Sequence, residues 1–142
     1  MLVGLGWIAT VIAANGLVSL GTGLEVVPVR ETGPLAEPVG VAVAGGALAL
    51  RSGFATARSV LLPVETALLA AVAQIVVPAL VALVMSGSGP AFLTAGSAAT
   101  SVFTLVDALL AALGGLIVLV VVRARAAGAG PPRWPWERDD GS

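Results

Sequence analysis

The chain has no cysteine, histidine, lysine or tyrosine, and only 11% of its 142 residues are charged. Without cysteine there are no disulfides and no thiol nucleophile. Without histidine there is no imidazole base, no histidine-ligated haem and no ordinary zinc site, and without lysine there is no Schiff base. Metals and cofactors are therefore not expected. An enzyme is not expected either, because any acid–base or nucleophile pair would have to come from Ser, Thr, Asp and Glu alone. Gly87-Ser88-Gly89 falls in a loop-like stretch and lacks the strand–turn–helix setting of a nucleophile elbow. The net charge of −1 gives no electrostatic basis for binding nucleic acid.

The shortage of charge has a second consequence. Hydrophobic residues make up 58% of the chain and the mean hydropathy is +1.04, whereas a soluble domain is about half apolar and about a quarter charged. So few polar groups could not cover a water-facing surface, which excludes a water-soluble monomer. The expected solvent is the bilayer.

Apolar stretches near the length of about 20 residues that crosses a bilayer as a helix occur four times: Leu2 to Thr22, Pro38 to Thr56, Leu62 to Met85 and Val102 to Val122. In hydrocarbon every backbone polar group needs an internal partner, so each is expected to be helical. The fold class is therefore all-α, an antiparallel bundle of four transmembrane helices over residues 1–125, followed by a disordered tail over 126–142. The second span is the shortest, with Pro38 suited to a first helical position and Arg51 able to snorkel to the headgroups. No arginine precedes the first run, and that run is long for the apolar part of a signal peptide, so it is expected to remain as a span.

Arginine sets the orientation. Arg51 and Arg58 lie between spans two and three, and Arg123 and Arg125 follow span four, while Arg30 alone lies between spans one and two. The positive-inside rule then places both termini in the cytoplasm of a multi-pass plasma-membrane protein, the inner membrane in a bacterial cell. Trp7, Phe54, Phe92 and Phe103 fall near the expected span ends, where interfacial aromatics sit. The outer segments, Gly23 to Glu37 and Ser86 to Ser101, read as irregular and as flexible linker. The tail cannot bury a core, and its Trp134 and Trp136 could rest on headgroups or form a docking motif.

Polar residues inside spans are candidates for function. Glu65 and Gln74 are nine residues apart and so lie on opposite faces of one helix. Gln74 shares its face with Ala67, Ala70, Ala71 and Pro78, a close-packing stripe. Glu65 stands in the first turn after Pro63, where it reaches the headgroups with Arg51, Arg58, Arg123 and Arg125 and complements the helix N-terminus, an ion pair with Arg58 or Arg123 being a variant of that role. Asp107 points inward with Ala111 and Gly114. It either caps its helix through a Thr104–Asp107 capping box, or lies deeper if the helix begins at Ser101. Asn15 has two faces around it that could pack, one with Gly4, Ile8 and Val11 and the other with Gly6, Ala9 and Ala13. Span two adds Ala42, Gly45, Gly46 and Ala49. Asn15 and Gln74 are expected to hydrogen-bond across helices.

Two functions remain. One is a structural or accessory component of a membrane complex, or a homo-oligomer, whose partners are the lipid bilayer and itself or another membrane protein. The other is a small proton or cation channel or transporter subunit using Asp107, Asn15 and Gln74.

Overall fold

The computed structural model describes residues 2–24 and 36–128. Regular structure among them is helical throughout: α1 (Leu2–Thr22), α2 (Ala36–Gly53), α3 (Leu62–Ser86), α4 (Ser88–Ala99) and α5 (Val102–Ala126). Three helices are long and apolar enough to cross a membrane, over Gly4–Thr22, Leu62–Ser86 and Val102–Ala126. α2 coincides with the expected second span but is not among them. Its 18 residues include Glu37 and Arg51.

α3 is the central helix. It packs against α2, α4 and α5, while α1 closes against α2 and α5. On α1, α3 and α5 the packing stripe follows a four-residue step, which keeps side chains on one slowly winding face, and on α2 steps of three and four alternate. On α3 the buried positions are Leu62, Thr66, Ala70, Gln74, Pro78 and Ala82. On α5 they are Phe103, Asp107, Ala111, Gly115 and Leu119. α1 contributes Trp7, Val11 and Asn15, and α2 contributes Val41, Ala44 and Leu48.

Glycine sets how closely these faces approach. A Cβ on Gly4 would stand 2.6 Å from the Gly45 carbonyl oxygen, so α1 and α2 meet backbone to backbone. A Cβ on Gly115 would meet Thr66 Oγ1, Pro63 Cα and the Leu62 carbonyl, so α5 rests directly on the first turn of α3. Between lipid-solvated helices such proximity matters because van der Waals contact, rather than water exclusion, drives association.

Several expectations are corrected at this level. The segment expected to be flexible linker contains α4. Pro90 sits in its first turn, where an amide N–H has no intrahelical partner to lose. The chain reverses between α3 and α4 at Gly87, whose φ of +92° is open to glycine and unfavourable for other residues. Trp7 and Phe103 lie inward, each 6% exposed, because they fall on the packing stripes, whereas Phe54 and Phe92 are exposed. Only one face of α1 packs: Gly6, Ala9 and Ala13 are exposed. In α2, Gly45 packs but Ala42 and Gly46 face outward. Arg30, most of the first outer segment, and the tail with Trp134 and Trp136 lie outside the described residues.

Candidate functional site

The three polar residues expected within spans meet in one cluster. Asn15 Nδ2 donates to Asp107 Oδ1 at 3.1 Å, and Gln74 Nε2 donates to Asp107 Oδ2 at 2.6 Å. One carboxyl group thus joins α1, α3 and α5. The cluster is closed over, with Asp107 2% exposed, Asn15 5% and Gln74 6%. Both oxygens of Asp107 accept from amide N–H groups, the charge-assisted arrangement that suits a carboxylate removed from water.

Each helix reaches the cluster by a local feature. Gln74 is the thirteenth of the 25 residues of α3, its midpoint. Asp107 is only the sixth residue of α5, yet it stands level with Gln74. α4 accounts for the offset: it folds back against α3, and its last turn lies beside the start of α5, where Thr104 Oγ1 donates to the Ala98 carbonyl at 2.7 Å. Ser101 caps α5 by accepting from the Phe103 amide at 3.2 Å. The capping role considered for Asp107 is therefore overturned. Ser101 fills it, and the carboxyl of Asp107 is turned to the neighbouring helices.

α2 completes the surroundings at Gly40, where a Cβ would stand 3.1 Å from Gln74 Oε1 and 3.4 Å from the Pro78 ring. Pro78 has no N–H to offer the Gln74 carbonyl four residues back, so the α3 ladder lacks one bond at the level of the cluster. One acceptor in the cluster is left open: Asn15 Oδ1 is buried without a hydrogen-bond partner.

A second polar tie lies nearer the arginine-rich end. Thr66 Oγ1 is 2.9 Å from the Ala111 carbonyl of α5, and 2.9 and 3.0 Å from the Leu62 and Pro63 carbonyls of its own helix. Thr66 did not figure among the candidate residues. The available signal was its place on the four-residue stripe that carries Ala70 and Gln74.

The residues expected at the interface divide differently from expectation. Glu65 pairs with Arg51, whose Nε donates to Glu65 Oε2 at 2.7 Å, with a salt bridge from the same guanidinium. The pairing with Arg58 or Arg123 does not occur, because the antiparallel packing of α2 on α3 sets the last turn of one beside the first turn of the other. Arg123 instead donates to the Ala57 carbonyl at 3.2 Å, tying α5 to the α2–α3 connection. Arg58 and Arg125 are exposed. Among the described residues no group of three or more Asp and Glu side chains could hold a metal ion.

Helical structure throughout the described residues, with three membrane-capable helices and with Asn15, Gln74 and Asp107 bonded to one another, is consistent with a multi-pass membrane protein. The chain belongs to DUF6121, a family of unknown function whose sequence profile matches residues 1–142. No curated protein and no solved structure matches it.

Proposed function

We propose that this protein is a non-enzymatic structural or accessory component of a membrane complex, assembling with itself or with another membrane protein. In this reading four helices cross the plasma membrane antiparallel, with both termini in the cytoplasm. Support for α2 as the fourth crossing comes from its partners, which run its whole length: Gln74 and Pro78 at Gly40, Gly4 at Gly45, and Glu65 at Arg51. The ends bearing Arg51 and Arg123 lie on one side, as the positive-inside rule requires of the cytoplasmic face.

The observation that carries the structural role is the closed cluster at Asp107. Its polar groups are spent on holding α1, α3 and α5 in register, and interhelical hydrogen bonds in membranes contribute on average about 0.6 and at most about 1.7 kcal/mol each. Purification of the full chain from native membranes in mild detergent tests the reading. A co-purifying membrane protein or a defined homo-oligomer is expected, and a monomer without partners would contradict it.

One observation favours a second reading, a proton or cation pathway. Asn15 Oδ1 stands open within the cluster held by the Asp107 carboxyl. In proteoliposomes that reading requires a pH or cation gradient to decay through the wild type and not through Asp107→Asn. The structural reading requires no protein-dependent decay in either.

A further inference from the structure

On the flank where α2 and α3 lie side by side, a groove opens outward near the arginine-rich end of the bundle. Arg51 on α2 and Glu65, Leu68, Leu69 and Val72 on α3 line it. Its chemistry is ordered along its length. The charged pair stands at the end formed by the first turn of α3. From Glu65 to Val72 the groove runs about 10 Å along α3 at a rise of 1.5 Å per residue, over three exposed apolar side chains.

Both charged side chains can be reached from outside, Arg51 being 29% and Glu65 41% exposed. Their contact also leaves bonding capacity. The guanidinium sets Nε and Nη2 on a single carboxylate oxygen, Oε2. Among the described residues nothing else bonds to either side chain, so Glu65 Oε1 can still accept and Arg51 Nη1 can still donate. The groove therefore offers a cation and an anion side by side at one end and an apolar floor beyond them. A ligand of one charge would be attracted by one of these groups and repelled by the other. A headgroup with both signs meets each with its opposite, and the floor calls for hydrocarbon attached to that headgroup. Its ammonium must carry N–H, because a primary ammonium donates to Oε1 and a quaternary one cannot.

We propose that this groove binds one aminophospholipid of the bilayer, its phosphate accepting from Arg51 Nη1, its primary ammonium donating to Glu65 Oε1, and its acyl chain lying over Leu68 and Val72. The lipid bridges α2 and α3 at the end where the positive-inside rule places the cytoplasmic leaflet. The assignment rests on the membrane reading above, and the test separates the two.

Trp7→Phe, Trp134→Phe and Trp136→Phe remove the three tryptophans of the chain, and Leu68→Trp then sets a single fluorophore in the groove. Leu109→Trp, at an exposed position on α5, is the reference away from it. Each protein is reconstituted into phosphatidylcholine vesicles containing the same small fraction of brominated phosphatidylethanolamine, phosphatidylcholine or phosphatidylglycerol. Bromine quenches indole on near contact. At position 68 the phosphatidylethanolamine should quench about two- to fivefold more effectively than the phosphatidylcholine, the range of one partly exposed charged contact, and the phosphatidylglycerol no better than the phosphatidylcholine. At position 109 the three should be equal. Glu65→Gln should abolish the preference and make phosphatidylglycerol the strongest quencher, since Arg51 then stands unpaired. Glu65→Ser serves the same purpose if Glu65→Gln does not fold, as judged by helicity and gel filtration. Equal quenching by the three lipids at position 68 would overturn the site and leave the membrane reading standing. So would phosphatidylglycerol favoured over phosphatidylethanolamine before Glu65 is changed, a preference that survives the loss of Glu65, or the same preference at position 109. Quenching at 109 without quenching at 68 would mean that protein covers the groove, and the site is wrong. No quenching at either position would remove the membrane reading and the site together.

Discussion

Gly114 and Gly115 are adjacent in sequence and opposite in consequence. A methyl group at Gly114 meets nothing within 4 Å. At Gly115 it would stand 3.0 Å from Pro63 Cα and 3.1 Å from the Leu62 carbonyl, and closer still to Thr66 Oγ1. The hydroxyl could rotate away only by giving up its 2.9 Å bond to the Ala111 carbonyl, and the Pro63 and Leu62 backbone atoms cannot rotate at all. Gly115→Ala must therefore push α5 off α3. A gap of about 0.5–1 Å forfeits a quarter to a half of the dispersion attraction of each atom pair across it. Overpacking of this kind costs about 1–3 kcal/mol, and the Thr66 bond adds up to about 1.7 kcal/mol. The gain in helix propensity, up to about 1 kcal/mol, is common to both sites. Gly114→Ala should thus be neutral or slightly stabilising, and Gly115→Ala lower in stability by about 1–3 kcal/mol. Unfolding in mixed micelles by titrated SDS, followed by helicity, measures both. Equal stabilities, or a greater loss at Gly114, would refute the close approach of α3 and α5.

Other outcomes follow from the same packing. Ala70→Leu, at a fully buried position, should lose about 1–3 kcal/mol by overpacking, while Val72→Leu, at an exposed one, should be near neutral; equal thermal stabilities in detergent would reassign the α3 face. Arg51→Glu should destabilise and Glu65→Arg should restore it, with a coupling within about 1 kcal/mol because both side chains are partly exposed; an unrepaired double variant would mean that the pair contributes nothing. For topology, single cysteines at Thr56 and Ser88 can be probed in intact cells with an impermeant thiol reagent. Labelling at 88 alone is expected, and labelling at 56 alone would reverse the orientation.

Much of the architecture was legible because lipid imposes length and backbone satisfaction on a spanning segment. The bounds of α1 and the start of α3 coincide with the ends of their apolar runs. The inward direction of Gln74 and Asp107 followed from helical spacing, whereas the first span offered two faces for packing, and the convergence of Asn15, Gln74 and Asp107 did not follow. Spacing along one helix fixes a face; it does not fix the axial offset between helices. That offset depends on α4, which a Gly- and Ser-rich stretch conceals, and which brings the sixth residue of α5 level with the thirteenth of α3. Trp7 was misread for a related reason. Nearness to a span end suggested an interfacial anchor, while its place four residues before Val11 and eight before Asn15 put it on the packing stripe. Thr66 drew no notice because a lone threonine in an apolar helix commonly bonds its own preceding turn, and only the approach of Gly115 brings the Ala111 carbonyl within its reach.

The structural role proposed for this protein rests on Asp107 as a tie between helices. A double-mutant cycle on SDS-induced unfolding, built from Gln74→Ala, Asp107→Ala and the pair, addresses it most directly. The 2.6 Å contact between the two side chains should appear as a favourable coupling of about 0.6–1.7 kcal/mol, with each single variant less stable than the wild type. Additive losses with no coupling, or single variants as stable as the wild type, would contradict it and leave the carboxyl of Asp107 without a structural task.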